Sequence, residues 1–541
     1  MARSLPPDHA GTRRRALSRP ASRETTSAAV PPASTPDTPD TPGPAAAPPR
    51  ALGSTLVLDI GKSNAKLLLI DAQGAELWHA QCPNASVDWT PPDSPAADGY
   101  RALGVQRLGD WIDGALRALG PTLTAAQQPA RLITTTHGAA FCALGDDGLL
   151  LPPIDYEWDG YGDDTPGFEA SLANFGHHGT PPLPQGLNAG RQLAWLQRRH
   201  AARLQGLRHW LPYPQYWAWW FSGAARSEVS SLGCHTGLWA PEHGRYSDWA
   251  QAAGLAARFA PQAQAWETVG RLHPERARAW GLSAELEVLA GVHDSNACLA
   301  RHLRHHPDAT VVSSGTWTVI MAPGAPTARL VPERDELVNV AVDGRAVPTA
   351  RFMGGREFAA LCAGADPALA TEQNLSRVLA EGWSALPAWA DSGGPFLGQR
   401  GQILRHGQVQ AGGMEAIRQV PTELRPALAA LYCARVIALL IGELAGQRAV
   451  DSPVILEGPL AHNPACCAAL AAALHPRPLL RCTDPVEGTA RGAWLLAGWT
   501  AETTTSSGGP AHPLEKIPGT GSALTQTLAA HAQQWSGLVS G

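Results

Sequence analysis

Residues 55 to 70 read Thr55-Leu-Val-Leu-Asp-Ile-Gly-Lys-Ser-Asn-Ala-Lys-Leu-Leu-Leu-Ile70. Thr55 to Ile60 is an apolar run of strand length and Lys66 to Asp71 is a second, so the segment reads as strand, small-residue loop, strand. Gly61 has no Cβ, which lets a phosphate approach the backbone closely. The Ser63 hydroxyl and the amides around it, with Asn64 alongside, can donate to its oxygens. Asp59 stands at the end of the first strand, where a carboxylate can hold a hydrated Mg²⁺ beside phosphates, and Lys66 adds positive charge nearby. In isolation the same residues describe an ordinary hairpin with a polar turn.

The arrangement recurs. Ala309 to Val312 leads into Ser313-Ser314-Gly315-Thr316, and Trp317 to Met321 resumes a strand-like run. Two such loops facing one another would clamp the phosphates of a nucleotide from both sides, which predicts a duplicated α/β architecture with a cleft between the halves. The conventional phosphate-loop pattern Gly-x-x-x-x-Gly-Lys-Ser/Thr is absent, so the nucleotide must be held in another way. A third segment, Pro453 to Leu456 followed by Glu457-Gly-Pro-Leu-Ala-His462, reads as a buried strand and a turn. Gly458 there leaves room for a flat ring, and Asn463-Pro464 opens an alanine-rich helix with Asn at N-cap and Pro at N1. Farther on, Gly488 and Gly492 share a helical face and allow close packing against a strand, a helix or the nucleotide.

Between the two loops lies Gly291-Val-His-Asp-Ser-Asn-Ala-Cys-Leu299. Asp294 precedes a helical run, so it reads either as a helix cap or as a base poised at a helix N-terminus. Leu132 to Thr136 has the form of a strand, and His137-Gly138 at its end can present an imidazole and open backbone to hydroxyls. Asp155, Glu157 and Asp159 around Tyr156 and Trp158 suit a polyol, but a solvated loop is slightly favoured. The aromatic run Tyr213 to Phe221 reads as a core-packing helix. Leu108, Trp111, Ile112, Ala115, Leu116 and Leu119 recur at helical spacing, and the helix stops at Gly120-Pro121.

Composition removes several classes of function. Only 16% of the 541 residues are charged and the net charge is -5, with no long basic run, so no nucleic-acid partner is expected. Nine scattered cysteines form neither a metal knuckle nor a disulfide framework, which fits a reducing, cytoplasmic compartment. The apolar stretch Ala429 to Ala445 is interrupted by Arg435 and Glu443 and reads as a buried helix, so no membrane partner is expected. Residues 1–54, rich in Pro, Ala, Ser and Thr, read as a disordered tail without an export signal. The Thr/Ser/Gly stretch from Thr500 places the end of the globular body near Trp499, with 500–541 a loosely attached tail.

Four segments, Asp59-Ile-Gly-Lys-Ser-Asn-Ala-Lys66, Gly291-Val-His-Asp294, Ser314-Gly-Thr-Trp317 and Glu457-Gly-Pro-Leu-Ala-His-Asn463, stand in the order of FGGY carbohydrate kinases, and over residues 55 to 499 the chain resembles that family. The resemblance implies two actin-like, ribonuclease-H-like α/β domains closing over ATP and a sugar. An N-terminal domain over 55–305 would carry the sugar and phosphate site and the base, and a C-terminal domain over 306–499 would bind ATP. It further implies that Asp294 is the catalytic base and that Asp59 belongs to the Mg²⁺ and phosphate site with Gly61, Ser63, Asn64 and Lys66. Gly315 and Thr316 would meet phosphates, and Gly458 with Asn463 would lie on the adenosine side. Rhamnulose-type kinases are similar in having His directly before the base, which makes His293 a sugar contact beside His137 and Gly138. Glu228 falls where the family has polar residues near the substrate. The chain departs from the family at Lys62, where Thr is common; Lys62 is read either as touching a phosphate or as pointing to solvent, with solvent slightly favoured. The implied reaction is transfer of phosphate from Mg-ATP to a hydroxyl of a ketose or deoxyketose of the rhamnulose, fuculose or ribulose kind. A non-catalytic sugar or nucleotide sensor on the same scaffold is the alternative, and a homodimer is an option the sequence leaves open.

Overall fold

The apolar runs at 55–70 form an antiparallel pair, Thr55–Ile60 against Asn64–Ile70, in register from Thr55 opposite Ile70 to Ile60 opposite Ala65. A computed structural model describes this pairing and residues 53–92, 95–391, 393–445, 452–484, 488–500 and 513–539. The expected N-terminal tail, apart from its last two residues, and the 501–512 stretch lie outside the described residues.

Neither strand alternates apolar with polar residues, because both faces of the sheet are covered. Leu56, Leu58 and Ile60 enter a core with Leu108, Ile112, Leu116, Trp217 and Phe221, so the Val105–Leu119 helix and the aromatic Tyr213–Ser222 helix sit on one face as their periodicity predicts. Val57 and Ile70 enter a different core, shared with Ala297, Leu299, Ala490 and Trp494. Strand alternation puts Asp59 on that second face, with Val57.

The first sheet has seven strands. Its path runs Thr268–Arg271, Glu287–Leu289, Arg131–Thr136, Thr55–Ile60, Asn64–Ile70, Glu76–Pro83, and Val292–His293 pairs alongside Arg131–Thr136. The second sheet repeats the plan. Thr310–Ser314 is antiparallel to Thr318–Met321 and parallel to Val454–Glu457, just as Thr55–Ile60 is antiparallel to Asn64–Ile70 and parallel to Arg131–Thr136. The chain passes between the sheets through the Asp294–Leu303 helix and enters the second at Thr310.

The Arg425–Ala445 helix is long and apolar enough to cross a membrane by composition, yet 78% of its most apolar window is buried within this molecule. Its Leu428, Leu431, Val436 and Leu440 fill the core of the second lobe. The chain beyond 512 departs from the loose tail expected of it. Leu514–Lys516 extends the second sheet, and Ser522–Val539 is a helix with Leu528 and Trp535 buried in the same core. Arg435 explains the attachment: buried in an apolar helix, it donates to the Leu528 carbonyl at 2.6 Å, while Trp535 Nε1 donates to the Ala385 carbonyl at 2.8 Å. The polar linker at 500–509 hid a core-bearing helix beyond it.

Candidate active site

Two parallel strands of the first sheet end together. Thr136 at the end of one pairs with Ile60 and with His293, so His137, the Gly61 turn and Asp294 emerge at one edge. Gly291, at φ +87°, makes the sharp entry, and a Cβ there would meet the Thr134 carbonyl at 2.6 Å. The buried amide of Gln215 donates to the Ala290 and Gly291 carbonyls at 3.1 and 3.0 Å and fixes that turn. No sequence motif marks Gln215, which lies within the aromatic helix.

The cap position falls to His293, and Asp294 is the first residue of the helix. One Asp294 oxygen accepts from the Ser295 amide at 2.6 Å and lies 3.1 Å from His293 Nε2. His293 Nδ1 accepts from the Asn296 amide at 3.1 Å, which leaves the proton on Nε2, whose hydrogen-bond partner is Cys234 Sγ at 3.4 Å. Burial holds the His293 pKa below its ordinary value against the pull of Asp294, so the ring is neutral near pH 7. Asp294 keeps 29% of its side chain exposed, whereas His293 is buried.

Gly138 packs against this pair: a Cβ would meet His293 Nε2 at 2.7 Å and Cys234 Sγ at 3.2 Å. His137 is 5% exposed and donates from Nδ1 to the Gly138 carbonyl at 2.9 Å, leaving Nε2 as an acceptor with no hydrogen-bond partner among the described residues. Burial depresses its pKa as well, partly offset by the Gly138 carbonyl and Asp294.

Lys62 does not point to solvent. It forms an ion pair with Asp155, lies 3.3 Å from Glu157 and sits 4.9 Å from the Tyr156 ring centroid. Asp155 is fully buried, so the solvated-loop reading of 155–159 fails there. Burial raises the Asp155 pKa, but Lys62, Ser86 and the Glu157 amide together hold it below the ordinary carboxylate value. Trp158 packs on Tyr161 and Trp195.

Glu228 does not reach the cleft as a sugar contact would. It is fully buried, caps the Val229–Leu232 helix through the Ser230 and Ser231 amides, and accepts from the Ser230 hydroxyl at 2.6 Å. Ser230 Oγ in turn receives the His293 amide at 3.3 Å, so Glu228 supports the His293 backbone. Burial raises its pKa to about 7.

At the first loop, Gly61 N donates to the Asn64 carbonyl at 2.9 Å, and Ser63 and Asn64 are exposed. Asp59 is 8% exposed and lies opposite half-buried Lys66 in the register. At the second loop Gly315 and Thr316 are exposed, and Gly354 and Gly355 close over them. A Cβ on Gly355 would meet the Gly315 carbonyl at 2.3 Å, and one on Gly354 the Thr318 hydroxyl at 2.1 Å.

Gly458 does not open space for a ring. At φ +76° it lets the Ser314 strand end approach, and a Cβ would meet the Ser314 carbonyl at 1.9 Å. Ser314 Oγ then donates to the Glu457 carbonyl and accepts from the Leu460 amide at 3.0 Å. Asn463 caps the Pro464–Leu474 helix through the Cys466 amide at 2.9 Å. Gly492 is explained by helix packing, since its Cβ would meet the Ala297 carbonyl at 1.8 Å. Arg301 and His302, on the Asp294 helix, reach Glu457 at 3.1 and 2.8 Å, both buried.

Comparison with known proteins now gives this geometry a family. Residues 306–506 match the FGGY carbohydrate kinase C-terminal domain. A carbohydrate kinase from Novosphingobium aromaticivorans superimposes with a TM-score of 0.76 at 32% identity, over 91% of this chain and 99% of that one. The chain belongs to the FGGY carbohydrate kinase family and has its two-domain, actin-like fold. An L-fuculokinase of Salmonella typhi is 26% identical over 277 residues, 49% of this chain and 56% of that protein, so the match spans little more than half of the curated relative. A ligand-bound xylulose kinase from Lactobacillus acidophilus shares the fold at a TM-score of 0.70 and 12% identity, over 90% of this chain and 98% of that one.

Proposed function

We propose that the protein is an ATP-dependent carbohydrate kinase that phosphorylates a hydroxyl of a ketose or deoxyketose, with Asp294 as the general base. One observation carries the reading: a partly exposed carboxylate, with a buried neutral histidine 3.1 Å away, stands at the sheet edge where the Gly61 turn also emerges. Asp294 takes the proton from the attacking hydroxyl, with its carboxylate held by the Ser295 amide at 2.6 Å and His293 Nε2 standing 3.1 Å away. His137 Nε2 is an acceptor for a second sugar hydroxyl, and the Lys62–Asp155 pair with Tyr156 bounds that side of the pocket.

The donor set fits Mg-ATP. Asp59 offers a carboxylate for the cation, and a hard ion that keeps water and phosphate ligands needs few from the protein. The exposed Ser63 and Asn64 of the first turn and Gly315 and Thr316 of the second offer small polar groups to phosphate oxygens, and Lys66 adds charge to the first. Gly458 and Asn463 belong to the adenosine side, where the Ser314 hydroxyl ties the two turns together. When bound, Mg-ATP supplies the phosphoryl group and the neutralisation of its charge. The chain contributes in-line positioning and exclusion of water as the lobes close.

The ketose or deoxyketose class is supported by the His-Asp pair at 293–294 and by the likeness to an L-fuculokinase. ADP release over a panel of ketoses, deoxyketoses and polyols tests it. Turnover with a rhamnulose, fuculose or ribulose acceptor is expected, and no release with any member of the panel contradicts the reading.

A further inference from the structure

Arg351 lies on the Ala346–Phe352 strand, opposite Val319 of the strand that leaves the Gly315–Thr316 turn. It is 9% exposed. Its Nε donates to Asp335 Oδ1 at 2.9 Å, and its guanidinium lies 4.8 Å from the ring centroid of Trp317, the residue after Thr316. Among the described residues neither terminal nitrogen donates a hydrogen bond.

The mount is built with some care for geometry. Asp335 sits in the left-handed region at φ +59°, and its second oxygen accepts from the Gly394 amide at 2.9 Å. Gly393 is required beside it, since a Cβ would meet the Trp317 ring at 2.5 Å. One edge of the guanidinium is therefore fixed by three segments while its two-pronged end is left over. That end reaches solvent, so its donors are open to an oxyanion that displaces water there.

The mount also faces the acceptor cluster. The neighbouring strand Glu336–Val340 touches the first lobe, where Val338 N donates to the Gly179 carbonyl at 2.8 Å and a Cβ on Gly233 would meet Val340 at 2.3 Å. Cys234 and His235 follow Gly233, and Cys234 Sγ is 3.4 Å from His293 Nε2. The positive charge of Arg351 is felt at Tyr156, Cys234 and His235. Burial first and Arg351 second lower the His235 pKa to about 3.

We propose that Arg351 is a further catalytic residue, whose terminal guanidinium nitrogens bind the oxygens of the phosphoryl group as it passes from the second-lobe turn to the acceptor at Asp294. This rests on the kinase reading above. The bond from phosphorus to the departing ADP oxygen breaks as the bond to the sugar oxygen forms, and the hydroxyl proton goes to Asp294. Arg351 stays protonated throughout, and its forked donors match planar oxyanion recognition in a way a lysine cannot.

The test compares calorimetric binding of Mg-ATP and Mg-ADP to wild type, Arg351→Ala and Arg351→Lys, together with turnover. Arg351→Ala is expected to weaken ATP about tenfold while leaving ADP unchanged, and to lower kcat about 10²- to 10³-fold. Added guanidinium ion restores part of that loss, and Arg351→Lys falls between. Equal effects on ATP and ADP, or no effect on either, overturn the proposal, as does loss of turnover confined to carboxylated acceptors. Wild-type protein that binds neither nucleotide contradicts the kinase reading itself. Should Arg351→Ala fail to fold, Arg351→Gln carries the same comparison.

Discussion

Lys62 and Glu228 show how single side chains act through others at this site. The Lys62 ammonium holds Asp155 ionised inside the first lobe, with the Asp155 side chain only 1% exposed. Lys62→Met leaves that carboxylate with weaker support from Arg101, 3.4 Å away, and is expected to destabilise the protein by about 1–3 kcal/mol. Combining it with Asp155→Asn should recover part of the loss, which a double-mutant cycle of denaturant midpoints measures. Strict additivity contradicts the pairing. Glu228 has the opposite sign. Its pKa in the folded protein is raised from 4.5 to about 7, so the folded state keeps a proton that the unfolded chain gives up. Stability from this group therefore falls as pH rises from about 4.5 through about 7 and is level above that. Glu228→Gln should shrink the stability difference between pH 5 and pH 8 by up to about 3 kcal/mol, and an unchanged pH profile counts against the assignment.

At the scale of elements, the helix that carries Asp294 is clasped by the Gly488–Leu496 helix, which comes from nearly two hundred residues later in the chain. Gly492 against the Ala297 carbonyl sets their separation. Gly492→Ala is expected to push the helices apart and cost about 1–3 kcal/mol, with lowered kcat, by thermal melting and ADP release. An unaffected melting temperature contradicts that packing. The strands at 55–70 and 309–321 and the helices at Leu108 and Leu431 were legible because burial imposes a period that local residues must obey. Contacts made across the chain were not. Nothing near Gly458 announces that Ser314 lies against it, and nothing near Arg351 announces Asp335 or Trp317. Asp155 read as loop because its partner, Lys62, is 93 residues away.

For the whole molecule, the core containing Val57, Ala297, Val311 and Trp494 belongs to both sheets, so the two lobes share apolar packing as well as the cleft. The duplicated topology was readable from two copies of one loop pattern. The closing helix was not, because its apolar residues follow a polar stretch. Truncation at residue 512 uncovers Leu528 and Trp535 and leaves Arg435 without the Leu528 carbonyl. A loss of about 4 kcal/mol or more is expected from the two apolar side chains alone, seen as a lowered denaturant midpoint, and wild-type stability in the truncated chain contradicts the attachment. The central claim concerns Asp294, and Asp294→Asn tests it most directly because the amide keeps the shape and removes the base. Turnover measured on the best acceptor of the panel is expected to fall about 10²- to 10⁴-fold, with melting temperature and nucleotide affinity unchanged. Wild-type turnover in that variant would contradict the account.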